Sequence, residues 1–192
     1  AILGPAPLNA QTPAAPTTPA SPAAPSAAQT PEKPASDKQA DPFGQELMLT
    51  AKTVVILKGN ANWDTAFETL VATFKKVYAA LDKQGVTPAG PAMTVYTSTD
   101  DTGFTFEAQV PVNEPPKNLP KDIVAGKSPE AKTLKFVHRG SYDSMDNTYE
   151  AITNHLEEKK LESQDMFIEE YVTDVLKTPE DKMVINVYVP LK

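Results

Sequence analysis

The chain has 192 residues, a formal net charge of −7, no cysteine and two histidines. The missing cysteines exclude disulfides, thiolate metal sites and cysteine nucleophiles. The acidic balance, with no basic cluster, argues against direct nucleic-acid binding or an anionic membrane surface as partner, and no apolar run is long enough for a transmembrane helix.

Residues 1–44 are rich in Ala, Pro, Thr and Ser, hold about half of the 19 prolines and contain no aromatic residue before Phe43. Such a stretch cannot bury enough apolar surface to offset its ordering entropy, so it reads as a disordered, partly polyproline linker. The first ten residues, closing on Leu8-Asn9-Ala10, read like the tail of a secretory signal. A Pro/Ala tether behind a signal places the domain in the periplasm or outside the cell; the alternative is a low-complexity tail on a cytoplasmic protein. Residues 45–192 suit one ordinary domain with a real core.

Residues 52–58, with Val54, Val55, Ile56 and Leu57 in sequence, have a strand composition. Gly59-Asn60-Ala61-Asn62 reads as a turn, with Asn62 as N-cap. Trp63, Phe67, Leu70, Val71, Phe74, Val77, Tyr78 and Leu81 then recur at helical spacing, and Gly85 closes that helix. Met93 to Ser98 read as a strand, residues 99–103 as a hairpin turn, and Phe104, Phe106, Ala108 and Val110 as the buried side of the next strand. Residues 113–131 hold four prolines and read as a crossover.

The pattern then repeats: a strand over about 132–139, a turn at Gly140, a helix over about 144–160 with Met145, Tyr149, Ile152 and Leu156 on its apolar face, and strands over 166–173 and 182–189. Asp143 or Ser144 is the expected cap of this helix. The fold class is therefore α+β: a duplicated β-α-β-β unit forming a pseudo-twofold antiparallel sheet, with both helices on one face and a ligand cleft on the other.

Period-two alternation sorts the strands into faces. It sets Ile168 and Val172 towards the helices. Phe167, Glu169 and Tyr171 then share the opposite face with Glu107, Asn186, Tyr188 and Tyr96, and Thr94 corresponds to Glu169. Aromatic walls around a few carboxylates are what a small-molecule pocket requires, and they favour a flat or cationic ligand.

These residues resemble a known family. Val137-His138-Arg139-Gly140-Ser141-Tyr142 is similar to the His-x-Gly-x-Tyr opening of the second copy in GyrI-like proteins. Glu169-Glu170-Tyr171 resembles that family's Glu-x-Tyr, and Val187-Tyr188-Val189-Pro190 its closing strand. Gly90-Pro91, Tyr96 and the Glu107 to Val112 segment fit the first copy. The resemblance covers about residues 47–192. It implies a small-molecule cleft between the copies, with Glu169 as its acidic residue, Tyr96, Tyr142, Tyr171 and Tyr188 as walls, and Glu107 and Asn186 as further polar contacts. Family members that act as regulators carry a helix-turn-helix, which residues 1–44 do not supply, so a stand-alone binding domain is the expectation.

Two other readings stand beside it. Some GyrI-like proteins hydrolyse small electrophiles, and Glu169 with Tyr171, or Glu107 with Tyr142, have the residue types for acid–base work. A structural or protein-interaction module is the third reading, which the tether favours, leaving a protein partner unspecified. No cofactor is expected. His138 and His155 lack metal-ligand spacing, and the haem-binding SOUL type of the same fold is matched less well.

Overall fold

The computed structural model describes residues 43–192. The linker and the signal-like segment therefore lie outside the described residues, except that Phe43 and Gly44 open the first strand. The chain order is β1 (Phe43–Leu49), β2 (Thr53–Asn62), α1 (Ala66–Lys83), β3 (Met93–Thr99), β4 (Gly103–Pro111), β5 (Ile123–Lys127), β6 (Ala131–Arg139), α2 (Met145–Lys159), β7 (Phe167–Tyr171) and β8 (Val184–Pro190). A single 3₁₀ turn precedes each helix, at Trp63–Thr65 and Tyr142–Ser144.

The eight strands form one antiparallel sheet in the order β1-β6-β8-β7-β3-β4-β2-β5. The duplication is visible in that order, because β7 and β3 meet at the centre and the halves extend outward in mirrored sequence. Two strands go beyond the expected unit. β1 precedes the first copy but pairs with β6 of the second. β5 lies inside the proline-rich crossover and pairs with β2 of the first. Each half is thus β-β-α-β-β, with its leading strand given to the other half.

That exchange bends the sheet. β1 and β2 stand six strand spacings apart, about 29 Å in a flat sheet, yet only residues 50–52 join them, a reach of about 14 Å. Residues 128–130 link β5 to β6 under the same constraint. The sheet must curl until its edges approach each other across the face away from the helices. Leu47 and Leu49 of β1 accordingly pack against Met93, Val95, Ile168 and Tyr188 of the central strands. Lys52 reaches Glu170 of β7 at 3.8 Å.

Both helices lie on the other face, α1 over β2 and β4 and α2 over β6. Leu70, Phe74 and Val77 of α1 and Ile152 of α2 are buried with Phe106, Phe136, Ile185 and Val187 of the sheet, each apolar side chain contributing on the order of 1.5–3 kcal/mol. The apolar stripe ends α1 at Gly85 (φ +65°) in a Schellman motif, with Val86 N–H on Leu81 O and Gly85 N–H on Asp82 O. α2 ends the same way, with Lys160 in the left-handed position (φ 56°).

Several local expectations are corrected. Gly59–Asn62 is not a turn: β2 runs through it, paired to β4 as far as Asn62 opposite Gly103. Asn62 makes no side-chain cap bond. At the second helix Ser144 holds the N-cap position, as expected, but makes no side-chain cap bond; the side-chain cap belongs to the preceding 3₁₀ turn, where the Ser141 hydroxyl accepts from Asp143 N–H at 3.2 Å. Trp63 is half-exposed instead of core. Its Nε1–H donates to Asp100 O at 2.8 Å and its ring lies on Phe104, fastening α1 to the β3–β4 hairpin. Gly44 (φ +78°) sits at an irregularity in the β1–β6 ladder, where the His155 ring occupies the space a side chain would need.

Candidate functional site

The expected division of the sheet faces fails in the central strands. Tyr96 pairs with Phe106 and Thr94 with Ala108, and both partners face the helices. Glu169 pairs with Thr94 and Val187, and Tyr171 with Ile185, so these too face the helices. Ile168 points the other way, and Val172 lies beyond the strand and exposed. The cause is that both faces of β3 and β7 are buried, so alternation between apolar and polar no longer marks inside from outside. The residues grouped from sequence therefore divide into two sets, one on the helix side of the sheet and one opposite it.

Glu169, Tyr96, Tyr171 and Tyr142 come together between the helices. Glu169 is fully buried (0% exposed). Its Oε1 accepts from Tyr96 OH at 2.7 Å and from Tyr171 OH at 3.0 Å, and its Oε2 accepts from Tyr149 OH at 2.7 Å. Tyr96 and Tyr142 hydroxyls are 2.5 Å apart, and Thr94 Oγ1 is 2.8 Å from Tyr171 OH. Each hydroxyl has one proton to give. Since Tyr96 and Tyr171 spend theirs on the carboxylate, Tyr142 must donate to Tyr96 and Thr94 to Tyr171. Five hydroxyl protons thus fill five bonds with Glu169 ionised, and an added proton on the carboxyl would leave one hydroxyl without its bond.

Burial opposes that state. Desolvation raises the Glu169 pKa above the ordinary carboxylate range, while the hydroxyls of Tyr149, Tyr96, Tyr171 and Tyr142 pull it back down. The four phenols are themselves held well above their usual value, first by burial and then by the charge of Glu169, so they remain donors. The α1 side of the cluster is apolar: Phe74 packs edge-on to Tyr171 at 5.6 Å and Phe67 lies 5.2 Å from Tyr142. The tyrosines themselves fill the space around the carboxylate, and of the four only Tyr142 and Tyr149 are partly exposed. A shallow groove on α1, lined by Glu68, Thr69, Ala72, Thr73 and Lys76, shares no residue with this cluster.

Glu107, Asn186 and Tyr188 lie on the opposite face. There Glu170 accepts from Asn186 Nδ2 and Tyr188 OH, both at 3.0 Å, and Glu107 accepts from Gln109 Nε2 at 2.9 Å, with Lys58 3.9 Å away. The suggested acid–base pair of Glu107 and Tyr142 is therefore split by the sheet. Tyr149 was read only as part of an apolar helix face. A tyrosine in a buried helical stripe, where phenylalanine would pack as well, is a signal for a hydroxyl partner.

An α+β domain with a buried glutamate ringed by tyrosines between two helices is the geometry of a small-molecule-binding domain. A family model described as the GyrI-like small molecule binding domain matches residues 45–192, and the chain belongs to that family. Among solved structures, it resembles the EcmrR C-terminal domain, with TM-score 0.66 and 16% identity over 78% of this chain and 96% of that one. Of the EcmrR chain in its DNA complex, it spans only 57%. SAV2435 bound to tetraphenylphosphonium aligns with TM-score 0.54 and 15% identity over 78% of this chain and 93% of that one. A hydrolase from Listeria innocua aligns with TM-score 0.55 and 11% identity over 79% and 93%. These likenesses show the fold. No curated protein matches significantly.

Proposed function

We propose that this domain binds a cationic, partly aromatic small molecule between α1 and α2, with Glu169 as the charge anchor and Tyr96, Tyr142, Tyr149 and Tyr171 as its walls. The carrying observation is the fully buried carboxylate held by three hydroxyl donors. A buried anion is costly unless something compensates it, and an organic cation against aromatic faces would add direct charge pairing to the hydroxyl donors. Entry requires Tyr142 and Tyr149 to turn aside, since they close the cluster. The tetraphenylphosphonium complex of the fold neighbour SAV2435 supports this ligand class. We also propose that residues 1–44 tether the domain in the cell envelope, on their Pro- and Ala-rich composition; fractionation of the expressed full chain tests that. For the binding reading, tetraphenylphosphonium should raise the melting temperature of the protein, and a Glu169→Gln variant should lose that shift. A shift that survives the substitution undiminished would remove the anchor role.

Hydrolysis of an electrophile is the second reading, favoured by the Tyr142–Tyr96–Glu169 hydroxyl chain, which ends on a group able to take or give a proton. Turnover of electrophilic esters or epoxides that disappears with Glu169→Gln and falls with Tyr96→Phe would support it. Absence of turnover above buffer would leave binding alone.

A further inference from the structure

His138 is buried (4% exposed) on the helix-facing side of β6, opposite Ile185, and its ring nitrogens face Ser141, Ser144 and Thr148 rather than Glu169. Its two ring nitrogens are both committed. Nε2 lies 2.9 Å from Ser141 O, and Nδ1 lies 2.6 Å from Thr148 Oγ1. A carbonyl can only accept, so Nε2 carries the proton, and in the neutral ring Nδ1 then accepts from the Thr148 hydroxyl.

The two residues it grips immediately precede Tyr142 and Tyr149, the two hydroxyl donors that reach the cluster from the 3₁₀ turn and α2. The turn follows Gly140 (φ +116°), and the His138 grip adds to local bonds: Ser144 N–H and Ser144 Oγ donate to the same Ser141 carbonyl at 3.0 and 2.7 Å, Asp143 N–H donates to Ser141 Oγ at 3.2 Å, and Ser141 Oγ donates to Glu180 at 3.2 Å.

The duplication supplies an internal comparison. The matched ladders β2–β4 and β6–β8 and the matched 3₁₀ turns carry Gly59 onto His138, Trp63 onto Tyr142 and Leu70 onto Tyr149. The first copy has no hydroxyl at either donor position, and at the brace position it has a glycine, against which the Phe106 ring packs. Brace and donors occur together in one copy and are missing together in the other.

We propose that His138 is a positioning residue for the cleft: acting through Ser141 and Thr148, it holds Tyr142 and Tyr149 where they serve Glu169. The inference rests on the reading that Glu169 anchors the ligand, and it extends that reading to the residue that sets up the donors. A shell of this kind fixes first-contact side chains to within fractions of an ångström, and its loss is felt in function before it is felt in fold.

The test has two arms. In the free protein, the ¹³C resonance of the Glu169 carboxyl is followed against pH. His138→Ala should move its midpoint upward, because the carboxylate loses donors. His138→Gln, which keeps an N–H for Ser141 O, should recover part of the shift. Ile123→Ala, which loosens the core at the distant edge strand β5, should leave the midpoint in place. In the second arm, tetraphenylphosphonium affinity is measured by calorimetry. His138→Ala should weaken it about tenfold or more in folded protein, yet add nothing in a Tyr142→Phe, Tyr149→Phe background, since residues acting through one another are non-additive. A native midpoint and native affinity in His138→Ala, or losses that simply add, would overturn the proposal. If the native protein does not bind tetraphenylphosphonium, the functional reading fails while the carboxyl titration still decides the role of His138. If His138→Ala does not fold, Thr148→Val removes one of the two grips and should show a smaller shift of the same sign.

Discussion

Thr94 and Glu169 face each other across the β3–β7 ladder, and the pseudo-twofold relation of the two copies exchanges them. The same relation exchanges Met93 with Ile168 and Val95 with Glu170, turning the pair Met93–Glu170 into the pair Val95–Ile168. The axis therefore passes through the Thr94–Glu169 pair itself. Tyr96 and Tyr171 are equivalents on either side of it, and both donate to the same oxygen of Glu169. A twofold scaffold thus centres one charged group, and Tyr142 and Tyr149, lacking hydroxyl counterparts in the first copy, make the surroundings one-sided. One ligand in one orientation is the outcome this arrangement favours.

Glu169 should leave a mark on the pH dependence of stability. Its folded-state pKa is raised by burial, whereas in the unfolded chain a glutamate titrates near about 4.3. The native state therefore holds the proton to higher pH. The stability this contributes is fully present below the unfolded value and is lost as pH rises through the native one. Glu169→Gln removes that loss, since Gln is neutral and its amide still accepts from Tyr96 and Tyr171 while donating to Tyr149 O. Urea unfolding of the variant should decline less with pH above about 4.3 than that of the native domain, and a parallel decline would contradict this.

Two tyrosine-to-phenylalanine changes separate the faces of the sheet. Tyr149→Phe and Tyr188→Phe each remove a hydroxyl bond to a buried carboxylate, Glu169 in one case and Glu170 in the other. Each should cost about 1.5–3 kcal/mol in denaturant unfolding, the range for hydrogen bonds to charged groups. Only Tyr149→Phe should also change the affinity for tetraphenylphosphonium.

How far the sequence reached depended on which face of an element meets water. The helices were legible because α1 carries Glu68, Lys75, Lys76 and Asp82 on one side and a continuous apolar stripe on the other. The duplication was legible because the core strands of both copies share one apolar set. β1 and β5 were not: Phe43–Leu49 and Ile123–Lys127 are edge strands with mixed exposure, one beside the linker and the other among prolines. Glu169, Tyr171, Tyr96 and Tyr142 were found as a group, but Tyr188, Asn186 and Glu107 were joined to them. That error has one source. Ile168 reads as core and is core, yet of the second, smaller cluster on the far face. A strand buried on both sides carries no parity signal, so its register had to come from its neighbours.

The end of α2 offers a stability test independent of the site. Lys160 holds the left-handed C-terminal position that glycine holds at the end of α1. A side chain there costs about 1–2 kcal/mol of backbone strain, which the larger unfolded-state entropy of glycine partly offsets. Lys160→Gly should raise unfolding free energy by about 0.5–1 kcal/mol, measured by urea denaturation, with tetraphenylphosphonium affinity unchanged.

The central claim is that the ligand is met on the helix side of the sheet, at Glu169, and not on the far side at its neighbour Glu170. Titration calorimetry of tetraphenylphosphonium against the native protein, Glu169→Gln and Glu170→Gln tests it directly. The two adjacent glutamates are both buried, but Glu169 is held by three hydroxyls on the helix side, whereas Glu170 is held by Tyr188, Asn186 and Lys52 on the far side. Binding should weaken at least about tenfold in Glu169→Gln, the 1.4 kcal/mol scale of one lost ionic contact, and stay within about twofold of native in Glu170→Gln. The reverse pattern, or equal losses in both, would contradict the account.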